Sequence, residues 1–498
     1  MAGRRYDIVI FGATGFTGEH VARELQRVAN DPALTTATSG TTPPTVLRWA
    51  IAGRSKPKLD ALVARLSSTG APPTGVVVAD VSDPTALRAM ATTASVIINA
   101  TGPYRFFGEP VVAACISEGT SYADLCGEPE FIDRMQLKHA EAAAAAKTLI
   151  VHACAFDSIP ADIGTLYTAL QFPPPSRCEH VHMYHTFSSS GGAGGAAAHA
   201  TTFAAAVHGF AGSDQMRKQR KELFTKLEAQ HTGASKGPER LGPKLVTPRG
   251  PVWNKALQKY AFLFPGADAA VVRTTQRTLT PLLQPPAASG TGGAGAAGDA
   301  GATDAADAAA DAVTATAEQG QAVRGSSQHL LPQFGASFCV GSAKYAALTT
   351  LMGGLFNMLA SRNWGRKLLL RNPKAFTLGL FSEEGPSQAF LDGASFRTVF
   401  FGKGWANVAE TPPSPTTPFD MEVVCSVSGP EPGYVATGRM VVALARALLE
   451  DRELFAFEGG VFTPGALFGS SGGAKGVERL VERLAPLGIS FQVERGAL

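Results

Sequence analysis

A doubly wound α/β fold with a parallel sheet, joined to a second α+β domain, is predicted by three observations. An apolar strand runs into a glycine-rich turn and a helix near the N-terminus; the same alternation repeats to about residue 165; a looser remainder follows, split by a low-complexity segment. The first of these is DIVIFGATGFTGEHVAREL, residues 7–25. Ile8 to Phe11 form a continuous apolar run, as in a strand buried on both faces, and Val21, Ala22 and Leu25 change the period to that of a helix. Gly12, Gly15 and Gly18 stand at the junction. A helix N-terminus there presents N–H groups without intrahelical partners, and glycines remove the Cβ atoms that would keep an anion away. The spacing is Gly-x-x-Gly-x-x-Gly rather than Gly-x-Gly-x-x-Gly, yet the flanking strand and helix mark a Rossmann dinucleotide turn lined by Gly12, Thr14, Gly15, Phe16, Thr17 and Gly18.

The second strand, within LRWAIAGRSKPKLDALVARL, ends at Gly53. A site for NAD would place a carboxylate here for the ribose 2′-hydroxyl, but Arg54, Ser55, Lys56 and Lys58 follow instead. Cations and a hydroxyl suit a 2′-phosphate, so Arg54, Ser55 and Lys58 are expected to select NADP(H) over NAD(H). The plainer alternative is a solvated charge run opening a surface helix. TGVVVAD then ends at Asp80, ASVIINATGPY at Tyr104 and TSYADLCGE at Glu128, and KTLIVHACAFDSIPADIG carries a sixth strand into a helix. In the strand order 3-2-1-4-5-6 ligands lie beyond the carboxyl ends of the strands. Asp80, Gly102, Pro103 and Tyr104 are therefore assigned to the cofactor edge, with ATGPY near the nicotinamide half.

Residues 1–165 are read as the Rossmann NADP-binding domain and 166–284 as the first part of a second, substrate domain. Residues 285–333, dominated by Ala, Gly, Asp, Thr and Ser, lack the apolar surface to order themselves and are expected to be a disordered insert. Residues 334–372 are a hydrophobic segment, 373–455 continue the second domain, and 456–498 pack back on the body. Near-neutral charge, 44 Lys and Arg against 41 Asp and Glu, gives no footprint for nucleic acid. Six cysteines form no CxxC pair and no secretory h-region precedes the first strand, which points to an intracellular protein with reduced thiols.

Three groups are candidates for chemistry. Tyr104 could donate a proton and Arg105 could hold an anionic group. Asp157, in FDSIPADIG, ends the sixth strand facing the expected nicotinamide, although helix capping accounts for the polar residues of that motif equally well. Cys178, His180 and His182 alternate on one side of a strand, a pattern a half-exposed sheet face explains better than a metal, and no metal is assigned. His199 is a further candidate substrate contact. No G-x-S-x-G elbow is present.

The motifs FGATGFTG, AGRS, GPYRFFGEPVVAAC, GEPEF, FDSIPADIG, VVRTTQR, GPEPGYVAT and GGVFTPG, spread over the whole chain apart from the insert, resemble those of the saccharopine dehydrogenase-like oxidoreductases. That eukaryotic family is related to saccharopine reductases and to bacterial trans-acting enoyl reductases of lipid synthesis. The resemblance implies a Rossmann domain with a second α/β domain, and association with lipid droplets or membranes. The expected function is an NADP(H)-dependent reductase of a hydrophobic small molecule in lipid or glycolipid metabolism. Saccharopine-type imine reduction ranks lower because the second domain offers only scattered cations such as Arg273 and Arg277. A non-catalytic lipid-surface protein that retains its nucleotide site is the remaining alternative. Residues 345–360 carry no charge and Arg362, Arg366, Lys367 and Arg371 follow. As a helix the uncharged run would span roughly 24 Å, short of the roughly 30 Å hydrocarbon core, so it is read as an interfacial anchor or a core helix. The expected location is accordingly a lipid droplet or membrane surface, otherwise the cytoplasm.

Overall fold

The computed structural model describes residues 3–34, 46–189, 197–211, 218–223, 225, 240–248, 250–283, 331–409 and 413–496. Most of the expected insert, residues 285–330 of 285–333, lies outside the described residues.

Strands β1 (Tyr6–Phe11), β2 (Trp49–Gly53), β3 (Gly75–Val78), β4 (Ala94–Asn99), β5 (Ser121–Asp124) and β6 (Leu149–Val151) form a parallel sheet in the order β6-β5-β4-β1-β2-β3. Helices Phe16–Asn30, Lys56–Ser67, Pro84–Thr93, Tyr104–Glu118 and Pro129–Ala145 connect them. β1 reads as a solid apolar run because both its faces are covered: Ile8 and Ile10 belong to one core, Val9 and Phe11 to another.

The sheet has a seventh strand that the sequence reading placed only as part of a C-terminal segment. Gly460–Phe462 pairs parallel to β6. The two glycines that lead into it are steric requirements: a Cβ on Gly459, the residue before the strand, would lie 2.4 Å from the Ala143 carbonyl oxygen, and Gly460 has φ +137°.

A second seven-stranded sheet is mostly antiparallel. It contains β7 (Arg177–Ser189) at its centre, β8 (Gln333–Val340) parallel to it, and the long pair Ala394–Trp405 and Met421–Pro430. Helix Ile159–Ala169 is buried on nearly all sides, against the second sheet on one side and other helices on the other. Gly164 in it has no room for a side chain, since a Cβ would lie 2.3 Å from the Phe400 ring.

Three of the sequence motifs meet at Asp162 on this helix. Thr275 Oγ1, from VVRTTQR, donates to its carboxyl at 2.6 Å, and Gly465 N, from GGVFTPG, donates at 2.7 Å. Burial pushes this carboxyl up to about 7 despite those donors. A folded-state value above the ordinary one means the unfolded chain ionises first, so stability falls as pH rises from about 4 toward 7. Asp162→Asn is expected to flatten this dependence, the Thr275 hydroxyl rotating to accept from the amide. Melting temperatures of both proteins across that interval check it; parallel curves would remove Asp162 as the source.

A third, smaller unit has a core of its own. Helices Ala200–Ala211, Ala343–Ala360 and Asn363–Arg371 enclose Phe203, Val207, Leu359, Ala360 and Leu369, with Leu355 and Phe356 packed against them. The strand pair Ala198–His199 and Phe381–Ser382 closes it. The uncharged run 345–360 is thus a helix of this unit, but mostly an exposed one: Ala346, Leu359 and Ala360 are buried while Leu351 is 69% exposed. Among the described residues no helix is long and apolar enough to cross a membrane.

Candidate functional site

The glycine turn is tight and its steric logic is explicit. Gly15 N donates to the Gly12 carbonyl at 3.0 Å, and Gly12 has φ +85°. A Cβ on Gly18 would lie 2.2 Å from the same oxygen. Gly15 is exposed and N-caps helix Phe16–Asn30 without any side-chain cap. The first-turn N–H groups, including those of Phe16 and Thr17, are thus left for an anion. Glu19, which would oppose one, is paired with Arg23 at 2.8 Å and Arg65 at 2.7 Å.

The end of β2 lies beside this turn, with the Thr14 hydroxyl 3.8 Å from the Cβ position of Gly53. Ser55 N-caps the next helix without using its side chain, and Arg54 and Lys58 are exposed. Neither cation has an ion pair among the described residues, whereas Lys56 is held by Asp60 at 2.5 Å. Asp80, at the end of β3, accepts from Ser82 N at 2.9 Å and Ser82 Oγ at 2.7 Å. Those bonds and the nearby Arg54 hold its carboxyl below the usual range. An uncapped N-terminus, glycines without room for Cβ and two available cations fit a phosphorylated dinucleotide.

Beyond β4, Gly102 is exposed and Pro103 opens the following helix. Tyr104 is in place but differently employed from the sequence expectation. Its phenol is buried, donates to Asn99 O at 2.9 Å and accepts from Leu125 N at 3.2 Å, and burial raises its pKa well above the ordinary value. Its backbone N donates to Glu128 at 2.6 Å. Arg105 is likewise occupied, with Nε on Glu128 at 3.1 Å and Nη1 on His208 O at 2.9 Å. These residues clamp the strand ends together. Under them a second polar group, absent from the sequence reading, ties β5 to β6: His152 Nδ1 lies 2.7 Å from Asp124 Oδ2, which also accepts from Tyr122 Oη at 2.9 Å.

Asp157 is partly buried where the two sheets meet. Ser158 Oγ donates to it at 2.8 Å and Ala267 N at 3.4 Å. Gly127 and Gly266 crowd its Oδ2, which lies 3.2 Å and 3.1 Å from their Cβ positions. Burial, then the neighbouring Asp268 carboxyl, pushes Asp157 well above its ordinary value. Asp268 is itself raised by burial to about 6, and its Oδ2 lies 2.7 Å from His185 Nε2. Burial lowers His185 to about 4, so its ring is neutral; Nε2–H donates to Asp268 and Nδ1 accepts from Thr398 at 2.7 Å. His185 and Asp268 were not singled out by the sequence. The signal was there in principle, since His185 has the opposite strand parity to His180 and His182 and faces the other domain.

His180 and His182 share a face of β7, but the register shift at Lys403/Gly404 breaks the expected alternation and turns Cys178 into the core with Val181 and Met183. His180 pairs with Pro243 O at 2.8 Å and His182 with Ser337 Oγ at 2.9 Å. Among the described residues no group of three or more His, Cys, Asp or Glu could hold a metal ion. His199 reaches the glycine turn. Its ring stacks on Phe16 with centroids 5.3 Å apart, and Tyr434 stands edge-on to Phe16 at 4.8 Å.

Comparison with known proteins agrees with this geometry. Residues 8–151 match the family described as the saccharopine dehydrogenase NADP binding domain. A human saccharopine dehydrogenase-like oxidoreductase is 33% identical over 497 residues, 98% of this chain and 97% of its own. A Caenorhabditis elegans protein named as lipid droplet localized is 29% identical over 98% of both chains. A Mycobacterium tuberculosis protein named as a trans-acting enoyl reductase is 41% identical over 32% of this chain and 34% of its own. With one third of its residues shared along almost the full length of the human relative, and a phosphate-ready glycine turn in the matched domain, the chain belongs to the saccharopine dehydrogenase-like oxidoreductases and uses NADP(H).

Proposed function

We propose that the protein is an NADPH-dependent reductase of a hydrophobic, lipid-linked substrate, enoyl reductase-like in its chemistry and working at a lipid surface. The observation that carries this reading is the surface of residues 343–382. Tyr345, Leu351, Met358, Trp364, Leu378 and Leu380 are all more than 40% exposed there, and no carboxylate occurs before Glu383. Lys344, Arg362, Lys367, Arg371 and Lys374 stand exposed among them. Apolar side chains ringed by cations match acyl chains beneath anionic head groups. The names of the nematode and mycobacterial relatives point the same way.

Bound NADPH would supply a hydride to one carbon of a polarised double bond. The chain's part is to orient the two reactants and deliver a proton to the other carbon. Asp157 is the acid we assign, since burial and the adjacent Asp268 carboxyl favour its protonated form and it is partly accessible where the domains meet. Tyr104, whose hydroxyl serves two backbone groups, holds the edge in shape. A saccharopine-like substrate would require several cations for its carboxylates. Arg105 is engaged by Glu128, and Arg220 and Arg277 by Asp133, which weighs against that alternative.

The test is NADPH oxidation with a long-chain enoyl thioester carried in vesicles. Asp157→Asn is expected to lower kcat by about 100-fold or more with the NADPH Kd unchanged. Equal rates would remove Asp157 from the chemistry. Tight NADPH binding without turnover of any thioester would favour the non-catalytic lipid-surface protein.

A further inference from the structure

We infer that lipid docking and NADPH binding are coupled: residues 197–211 and 343–382 form a lid whose outer face meets anionic phospholipid and whose inner edge rests on the cofactor turn. This rests on the lipid-surface reading above and adds how that surface governs the site.

The first observation is mechanical. The lid has its own small apolar core, separate from the two cores that hold the sheets, so it can shift as a body without breaking either. The second is contact with the cofactor side at two places. At the glycine turn, His199 stacks on Phe16, and Gly385, just past the lid and hydrogen-bonded through its N to Ser382 Oγ at 3.1 Å, lies so close that a Cβ there would be 2.6 Å from the Phe16 ring. Beyond β4, the His208 carbonyl accepts from Arg105 Nη1 at 2.9 Å, and Phe106 meets the His208 ring edge-on at 5.8 Å. The third is the outer face, where Leu351, Met358 and Trp364 are exposed among cations on the same small body.

The consequence follows from what each ligand orders. Phosphate held by the first-turn N–H groups fixes Phe16, and with it the platform on which His199 rests. Phospholipid fixes the same body from outside. Ordering incurred for one ligand is not incurred again for the other, so each tightens the other by the same factor.

The test measures NADPH Kd for the full chain in buffer, with phosphatidylcholine vesicles, and with vesicles of equimolar phosphatidylcholine and phosphatidylserine. The anionic vesicles are expected to lower the NADPH Kd roughly fivefold or more, and NADPH to tighten vesicle binding equally. The variant carrying Leu351→Ser, Met358→Ser and Trp364→Ser should lose vesicle binding and the shift together while keeping wild-type NADPH affinity in buffer. His199→Ala should bind vesicles as the wild type does, with an NADPH Kd that no longer responds. Vesicle binding with an unchanged or weakened NADPH Kd would overturn the coupling and leave the lipid reading standing. No vesicle binding would overturn both, and an undiminished shift in His199→Ala would overturn the lid contact as its route.

Discussion

Gly15→Val is expected to cost more than about 100-fold in NADPH affinity while leaving the fold intact. The expectation separates Gly15 from its neighbours. Gly15 is exposed, its φ of −77° and ψ of 162° suit any residue, and a Cβ there would lie 3.3 Å from the Gly12 carbonyl, a contact relieved by a small shift. The two γ-carbons of valine would instead project over the helix N-terminus, where the pyrophosphate must approach the backbone. Gly18→Val would be a poor substitute, because its Cβ would strike backbone at 2.2 Å and the loss of binding could not be told from loss of the helix. NADPH titration together with thermal melting reads both properties of Gly15→Val. Wild-type affinity with a wild-type melting temperature would remove the turn from the cofactor site.

The order of the first six strands was legible because a parallel sheet covered on both faces writes continuous apolar runs, and because the connections between its strands are short helical segments. The seventh was not, since Gly460–Phe462 is too short to show a period and its glycines mark crowding rather than a strand. Side-chain employment was less legible than position. Tyr104 stands where the strand count put it, but only the folded chain reveals that Asn99 O and Leu125 N occupy its hydroxyl. The His185–Asp268 pair joins residues far apart in sequence on different elements, so no local spacing announces it. For residues 345–360 the sequence left core and interface as equal readings. In the folded chain the helix gives a few residues to one small core and leaves most of its surface exposed, which depends on neighbours distant in sequence.

Arg54→Glu is expected to invert the cofactor preference, weakening NADPH by about 100-fold or more while NADH changes little. Arg54 is exposed at the end of β2 without an ion pair among the described residues, so its charge is available to a ligand, whereas that of Lys56 is shared with Asp60. A charge-assisted hydrogen bond to the 2′-phosphate is worth about 1.5–3 kcal/mol, roughly 10- to 100-fold. Reversal adds repulsion, because a glutamate at position 54 would face both that phosphate and the nearby Asp80 carboxyl, which Ser82 and Arg54 hold below its usual range. NADH carries a hydroxyl in place of the phosphate, and a carboxylate at the end of the second strand is the group that accepts from a ribose 2′-hydroxyl. The substitution is confined to a solvent-exposed side chain, so melting should be unchanged. Dissociation constants for both nucleotides at low and high salt decide the matter. Wild-type NADPH affinity should fall with salt more steeply than that of Arg54→Glu, since screening acts on the Arg54 attraction in one and partly on its replacement by repulsion in the other, while Lys58 is common to both. Equal losses for NADPH and NADH would place the 2′-phosphate elsewhere.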